Sequence, residues 1–138
     1  MGLQNASIMP TLGVSDLERS IRFYRDTLGF TVRTLSEGGS GQQSAMVEIG
    51  SQGRLLLYPS TFQHGETTAA AILVDDIDGC VSDFRSRGVQ FEEYDLPGLR
   101  TENGIATDGD LRTAWFKDPD GNILALSNET SETMRRAA

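Results

Sequence analysis

The chain is poor in the two residue types that most often build metal and redox sites. It contains one cysteine, Cys80, and one histidine, His64, in 138 residues. A single cysteine excludes an internal disulfide and a cluster of cysteine ligands, and it is typical of a protein that stays in a reducing compartment. We therefore expect a cytoplasmic protein without disulfide bonds.

Long apolar segments and basic residues are also scarce. The longest uninterrupted apolar run, residues 69–74, is far shorter than the roughly 20 residues of a membrane-spanning helix. The first residues lack the basic start and apolar stretch of a signal peptide. Twelve Lys and Arg against 20 Asp and Glu give a net charge of −8, which repels the phosphates of nucleic acids. Neither a membrane nor a nucleic acid is an expected partner.

The first half of the sequence predicts one strand, one helix and three further strands. A length of 138 residues with 38% hydrophobic residues suffices for one domain with its own core. Ser15 and Glu18 form a capping-box pair at the helix start, and Gly29 supplies a left-handed end. Alternating and turn residues predict the strands, which span residues 8–14, 30–35, 44–49 and 54–58.

The same order of elements begins again in the second half. Val14-Ser15-Asp16-Leu17 is echoed by Val74-Asp75-Asp76-Ile77, each closing a strand and opening a helix. The second helix ends at Gly88, and strands are predicted over residues 89–93, 113–117 and 123–127. Residues 94–111 lack clear periodicity, so they are either a lid over a site or a structural crossover.

We predict an α+β fold in one domain, built from two tandem βαβββ units. The predicted boundaries are 8–58 for the first unit, 59–67 for a linker, 68–128 for the second unit and 129–138 for a polar tail.

Two stretches of the repeat carry a resemblance to a known family. The first runs from Val14-Ser15-Asp16-Leu17 to Leu28-Gly29-Phe30, and the second is the turn Asp118-Pro119-Asp120-Gly121-Asn122. With the tandem units they resemble the vicinal oxygen chelate superfamily, which includes glyoxalase I, extradiol dioxygenases and bleomycin resistance proteins. The resemblance covers residues 8–128. It implies a cupped mixed sheet with helices packed outside, and units that pair within one chain or across a homodimer.

The resemblance also implies four metal-ligand positions. In metal-dependent members, side chains from the first and last strands of each unit ligate a divalent metal. The matching positions here hold Met9, Leu57, Ala69 and Ala125. None of these offers the imidazole or carboxylate that a catalytic Zn, Mn, Ni or Fe site requires. We therefore expect no metal at this site and no cofactor.

The same positions predict an apolar cup that holds a small apolar or aromatic ligand. Small and flexible side chains would line it: Met9, Thr11, Gly13, Leu55, Leu57, Ala69, Ala71, Leu73, Ile123 and Ala125. Trp115 is either a core residue or a stacking platform in this cup. The alternative is that these residues pack a closed core.

Few polar side chains are candidates for chemistry. Those that could act as acids or bases are Glu48, Tyr58, His64 and Tyr94. Glu48 is also placed to pair with Arg54 across a hairpin, and His64 is equally a solvated side chain of the linker. The candidates for the rim of the cup are Tyr58, Tyr94, Asp95 and Arg100.

Three hypotheses follow. The first is a metal-free, homodimeric protein that binds a small molecule. The second is an enzyme, a lyase, isomerase or dioxygenase, that uses a relocated metal or a metal-free acid–base pair. The third is a structural or regulatory dimer with a filled cup. Ligand-induced thermal stabilisation separates the first from the third, and chelator sensitivity identifies the second.

Overall fold

The computed structural model describes residues 9–36, 43–61 and 65–128. The chain divides into two units, Met1–Gln63 and His64–Ala138, and the boundary falls within the predicted linker 59–67. His64 and the predicted tail 129–138 lie outside the described residues. Within the described ranges, no helix is long and apolar enough to cross a membrane.

The first unit has the predicted order of one strand, one helix and three strands. Its elements are β1 (Thr11–Val14), α1 (Leu17–Arg22) with a π-helical continuation (Phe23–Thr27), β2 (Thr31–Ser36), β3 (Gln43–Ile49) and β4 (Gly53–Pro59). The sheet order is β1-β4-β3-β2. Strand β1 runs parallel to β4, and the other pairs are antiparallel.

Asp16, rather than Ser15, caps the start of α1. Its carboxylate accepts the backbone N–H of Arg19 at 3.1 Å, while the Ser15 hydroxyl accepts the Arg19 guanidinium at 3.1 Å. The predicted capping pair of Ser15 and Glu18 is therefore wrong by one residue. Serine and aspartate cap helices about equally well, so their order in the sequence does not decide between them. Gly29 has a φ of 86°, as its predicted role requires.

One face of the first sheet packs against its helix. Register pairs Leu12 with Leu57 and Val47 with Leu55, and all four side chains are buried, as are the helix residues Ile21 and Tyr24. The structure thus places Leu55 and Leu57, two residues predicted to line the cup, among the buried side chains of this unit. Three consecutive leucines, Leu55–Leu57, show no alternation, and only the pairing with β1 decides which of them face the helix.

The second unit has one helix and six strands among its described residues. Its elements are β5 (Thr68–Leu73), α2 (Ile77–Ser86), β6 (Asp95–Leu96), β7 (Leu99–Glu102), β8 (Ile105–Asp108), β9 (Leu111–Lys117) and β10 (Ile123–Ser127). The sheet order is β5-β10-β9-β8-β7-β6, with β5 parallel to β10. The mixed sheets and the two helices confirm the predicted α+β class.

Two parts of the second unit differ from prediction. Residues 89–93 do not form a strand: Phe91 makes an isolated β-bridge to Phe116. Residues 94–111 are not an irregular loop, because they form β6, β7 and β8 in successive hairpins. Their turns use Gly98 with a φ of 80° and the pair Asn103-Gly104 with φ values of 53° and 80°. Pro-Gly and Asn-Gly are residue pairs typical of turns, so the sequence does indicate both hairpin turns.

Helix α2 packs on one face of the second sheet, and Trp115 lies on the other. The rings of Phe84 and Phe116 meet edge to face with centroids 5.7 Å apart, and Phe116, Leu124 and Leu126 are fully buried. Because side chains alternate along a strand, Trp115 and Ala125 lie on the opposite side. We call the side of this sheet that carries Trp115 the open face.

The turn that carries the family resemblance is held by a buried carboxylate. Asp118 is 5% exposed, and its side chain accepts the backbone N–H groups of Asp120 at 2.9 Å and Asn122 at 2.8 Å. The side-chain amide of Asn122 also donates to it, at 2.9 Å. These contacts join β9 to β10 and so fix the register of Trp115 against its neighbours.

Candidate functional site

Trp115 lies at the centre of the open face, beside two alanines. Strand register places it next to Ala125 on β10, and Ala125 next to Ala71 on β5. The following row contains Thr113, Ser127 and the 54% exposed Leu73. The indole of Trp115 on β9 reaches Thr68 on β5, and β10 lies between these strands, so the ring lies over β10, where Ala125 is only 4% exposed. The register places four predicted pocket residues on this face, namely Ala71, Leu73, Trp115 and Ala125, and of these Trp115 lines the adjoining cavity.

The Trp115 ring is held from two sides. Its indole N–H donates to the Thr68 hydroxyl at 3.1 Å. The ring of Tyr94 meets it edge to face, with centroids 5.5 Å apart and an interplanar angle of 82°. Trp115 itself is only half-buried. A ring that is fixed in orientation and still accessible is suited to stacking, because little conformational entropy remains to be lost on binding.

A cavity of about 880 Å³ extends from Trp115 along β8 and β9. Its floor is formed by Trp115, Thr113, Ala106 and Leu111, and the β6–β7 hairpin forms a wall with Leu96 and Leu99. Leu96 is 56% exposed. The cavity falls within the range of about 300–1,000 Å³ that is typical of small-molecule sites.

The wall hairpin is tied to the sheet through Glu93. One carboxylate oxygen of Glu93 accepts the Thr101 hydroxyl at 2.6 Å and the Gly104 N–H at 2.8 Å. The Thr101 hydroxyl in turn accepts the Tyr94 N–H at 2.8 Å. The hydrogen bond from Thr101, followed by that from Gly104, lowers the pKa of Glu93 from its ordinary value of 4.5. Glu93 thus anchors the hairpin next to Tyr94 and the Trp115 ring.

Glu93→Gln is expected to lower the thermal unfolding midpoint at pH 7 by on the order of 2 °C. Because folding lowers the pKa of Glu93, its contribution is fully present above the unfolded pKa and is lost as the pH falls through the lower, folded pKa. Thermal unfolding at about pH 7 and about pH 3 checks this, with the exposed Glu66→Gln as a control. A difference between wild type and Glu93→Gln that is the same at both pH values would contradict it.

Of the acid–base candidates among the described residues, Tyr94 is the one whose ring contacts Trp115, a residue that lines this cavity. Glu48 forms an ion pair with Arg33 at 2.9 Å, although Arg54 lies opposite it in the register. Glu48 therefore pairs with Arg33 on β2 instead of the expected Arg54 on β4. Tyr58 is 41% exposed and pairs with Gly13 on β1. Glu48 and Tyr58 belong to the first unit, and Tyr94 to the second.

Several residues of this cavity escaped the sequence-based prediction. They are the floor residues Ala106, Asp108, Leu111 and Thr113. Asp95 and Arg100, expected at a rim, do line the cavity and form an ion pair at 3.1 Å. Recognising Pro97-Gly98 and Asn103-Gly104 as hairpin turns would have placed most of the missed residues on strands.

The positions that the resemblance assigns to metal ligands do not fit a divalent metal. Leu57 points towards the helix-facing core, and Leu56 takes the opposite side of β4. Met9, Ala69 and Ala125 carry no imidazole or carboxylate. Among the described residues, no group of three or more His, Cys, Asp or Glu side chains is arranged to hold a metal ion.

Comparison with known proteins gives one consistent family. The model of the Glyoxalase/Bleomycin resistance protein/Dioxygenase superfamily matches residues 7–126. A probable lactoylglutathione lyase from Vibrio parahaemolyticus serotype O3:K6 (strain RIMD 2210633) is 28% identical over 134 residues, which cover 90% of this chain and 91% of the relative.

Two solved structures are similar over most of their length. A member of the Glyoxalase/bleomycin resistance protein/dioxygenase superfamily from Sphaerobacter thermophilus DSM 20745 is 27% identical with a TM-score of 0.70, covering 92% of this chain and 100% of that one. The trypanothione-dependent glyoxalase I of Leishmania major is 27% identical with a TM-score of 0.66, and the match covers 96% of this chain and 92% of that one.

Proposed function

Because this chain belongs to the Glyoxalase/Bleomycin resistance protein/Dioxygenase superfamily, we propose that it uses the fold to bind a small aromatic molecule without a metal. The ligand stacks on Trp115 in the cavity of the second unit. The observation that carries this proposal is the half-buried Trp115 ring, which Thr68 and Tyr94 hold in place at the edge of the cavity.

Stacking and apolar burial supply the affinity. An aromatic pair contributes roughly 0.5–1.5 kcal/mol beyond the surface that it buries. The leucines of the β6–β7 hairpin and Leu111 add apolar contacts at about 25 cal/mol per Å². For a small planar ligand we expect a micromolar dissociation constant, which corresponds to roughly 8 kcal/mol.

The absence of the expected donor side chains at Met9, Leu57, Ala69 and Ala125 supports the metal-free part of the proposal. The single cysteine supports a cytoplasmic location. A homodimer is the proposed assembly, as the family resemblance implies.

The first experiment is native mass spectrometry of gently purified protein together with a fluorescence titration. Trp115 is the only tryptophan, so its emission reports ligand binding directly. We expect a dimer without a stoichiometric divalent metal, and saturable quenching by some members of a panel of planar aromatic compounds. A tightly bound metal would overturn the metal-free part of the proposal. Unchanged emission and an unchanged unfolding midpoint across the whole panel would overturn ligand binding.

A second candidate function is lactoylglutathione lyase activity, which the name of the Vibrio relative favours. It requires a relocated metal or an acid–base pair drawn from Glu48, Tyr58, His64 and Tyr94. Turnover assayed with and without added divalent metal separates the two functions. Activity that a chelator abolishes would favour the enzyme and displace the binding proposal.

A further inference from the structure

We infer that the ligand stacked on Trp115 carries a positive charge at its far end, where it meets Asp108. This inference rests on the proposed binding function and adds the chemical class of the ligand. It follows from the position of Asp108 in the same cavity, from the partners of the other charged groups that line it, and from the neutral floor between them.

Strand register places Asp108 on the open face. Asp108 pairs with Leu111, and Ala106 pairs with Thr113, across β8 and β9. Leu111, Thr113 and Trp115 alternate along β9, so all three side chains lie on the same side of the sheet as Asp108. Leu111 and Trp115 are four positions apart along the strand, which corresponds to roughly 13 Å. The site is thus a trough with an aromatic end and a carboxylate end.

Asp108 is the uncompensated charge of this trough. The lining residues with formal charges are Asp95, Arg100 and Asp108. Asp95 and Arg100 neutralise each other in an ion pair at 3.1 Å. Two further cations of β9, Arg112 and Lys117, form ion pairs with Asp78 and Glu92. The described lining therefore has a net charge of −1, located at Asp108.

The floor between the two ends is neutral. Ala106, Thr113 and Leu111 offer methyl groups and one hydroxyl, which suits an uncharged linker rather than a polar chain. The chain as a whole carries a net charge of −8, so its overall field attracts cations. Aromatic, neutral and cationic parts in that order match the trough from Trp115 to Asp108.

A pair of isosteric probes tests the charge. One probe joins a naphthyl group through about six carbons to trimethylammonium, and the other ends in tert-butyl, which has the same shape without the charge. Titration of Trp115 emission is expected to show about three- to tenfold tighter binding of the cationic probe at low salt. The preference should shrink as ionic strength rises.

Asp108→Asn is expected to abolish this preference and leave binding of the neutral probe unchanged. Asp110→Asn is the matched control, because it removes the same charge two residues away and Asp110 does not line the cavity. Equal binding of both probes to wild type, or a preference that survives in Asp108→Asn, would overturn the inference and leave the stacking site intact. Failure of both probes to change the Trp115 emission would count against the proposed function itself.

Discussion

Replacing Leu57 by alanine is expected to lower the free energy of unfolding by about 3 kcal/mol. Leu57 is fully buried, and its neighbours in the register, Leu12 and Ala45, are buried with it. Truncation therefore removes apolar contacts and leaves a cavity that rigid strands fill only in part. Equilibrium unfolding in urea or guanidinium measures the change from the midpoint and slope of the transition.

Leu56→Ala is the matched control for this prediction. It removes the same atoms one residue away, on the opposite side of β4, where the side chain is only half-buried. The expected cost is about 1 kcal/mol, since less apolar surface leaves the water there. If Leu56→Ala were the more destabilising variant, Leu57 would be the residue at the ligand-facing position, as the sequence alone had predicted.

The first unit could be predicted from the sequence because each of its elements has a distinct period. An apolar stripe at helical spacing, bounded by two glycines, indicates the helix. Alternating apolar and polar residues indicate the short strands, and neither pattern requires tertiary information. The residues of β4 that face the helix could not be predicted in the same way. Leucines at 55, 56 and 57 are compatible with both registers, and the parallel pairing with β1 determines the outcome.

The hairpins of the second unit are harder to predict for a different reason. Strands β6, β7 and β8 contain two to four residues each, too few to show a period. Polar contacts rather than an apolar stripe stabilise them, notably the Glu93 carboxylate between Thr101 and Gly104. Such contacts form only in the folded chain. The sequence therefore indicates these hairpins only through the residue pairs typical of turns.

The candidate site was predictable where alternation is clear. Residues 113–117 alternate between buried Ala114 and Phe116 and half-buried Thr113 and Trp115, so the opposite orientation of Trp115 and Phe116 follows from the sequence. The partners of Trp115 were not predictable, because Thr68 and Tyr94 reach it from distant parts of the sequence. The distribution of charge along the trough was likewise not predictable, because it depends on which carboxylates form ion pairs with arginine.

Trp115→Leu is expected to weaken binding of an aromatic ligand by about thirtyfold, close to 2 kcal/mol. Leucine keeps an apolar side chain on the open face but removes the flat surface on which the ligand stacks. Because this variant lacks the only tryptophan, isothermal titration calorimetry replaces fluorescence. The affinity of Trp115→Phe, which keeps a smaller ring, should lie between those of wild type and Trp115→Leu.

Variants of Thr68 separate stacking from mere apolar contact. Thr68→Val removes the acceptor of the indole N–H with little change in shape, so the Trp115 ring loses one of its two orienting contacts. We expect binding to weaken by about threefold to tenfold, whereas Thr68→Ser, which keeps the hydroxyl, should bind as wild type does. Equal affinities in Thr68→Val and Thr68→Ser would show that ring orientation does not matter. A Trp115→Leu variant that binds as tightly as wild type would place the ligand elsewhere in the chain.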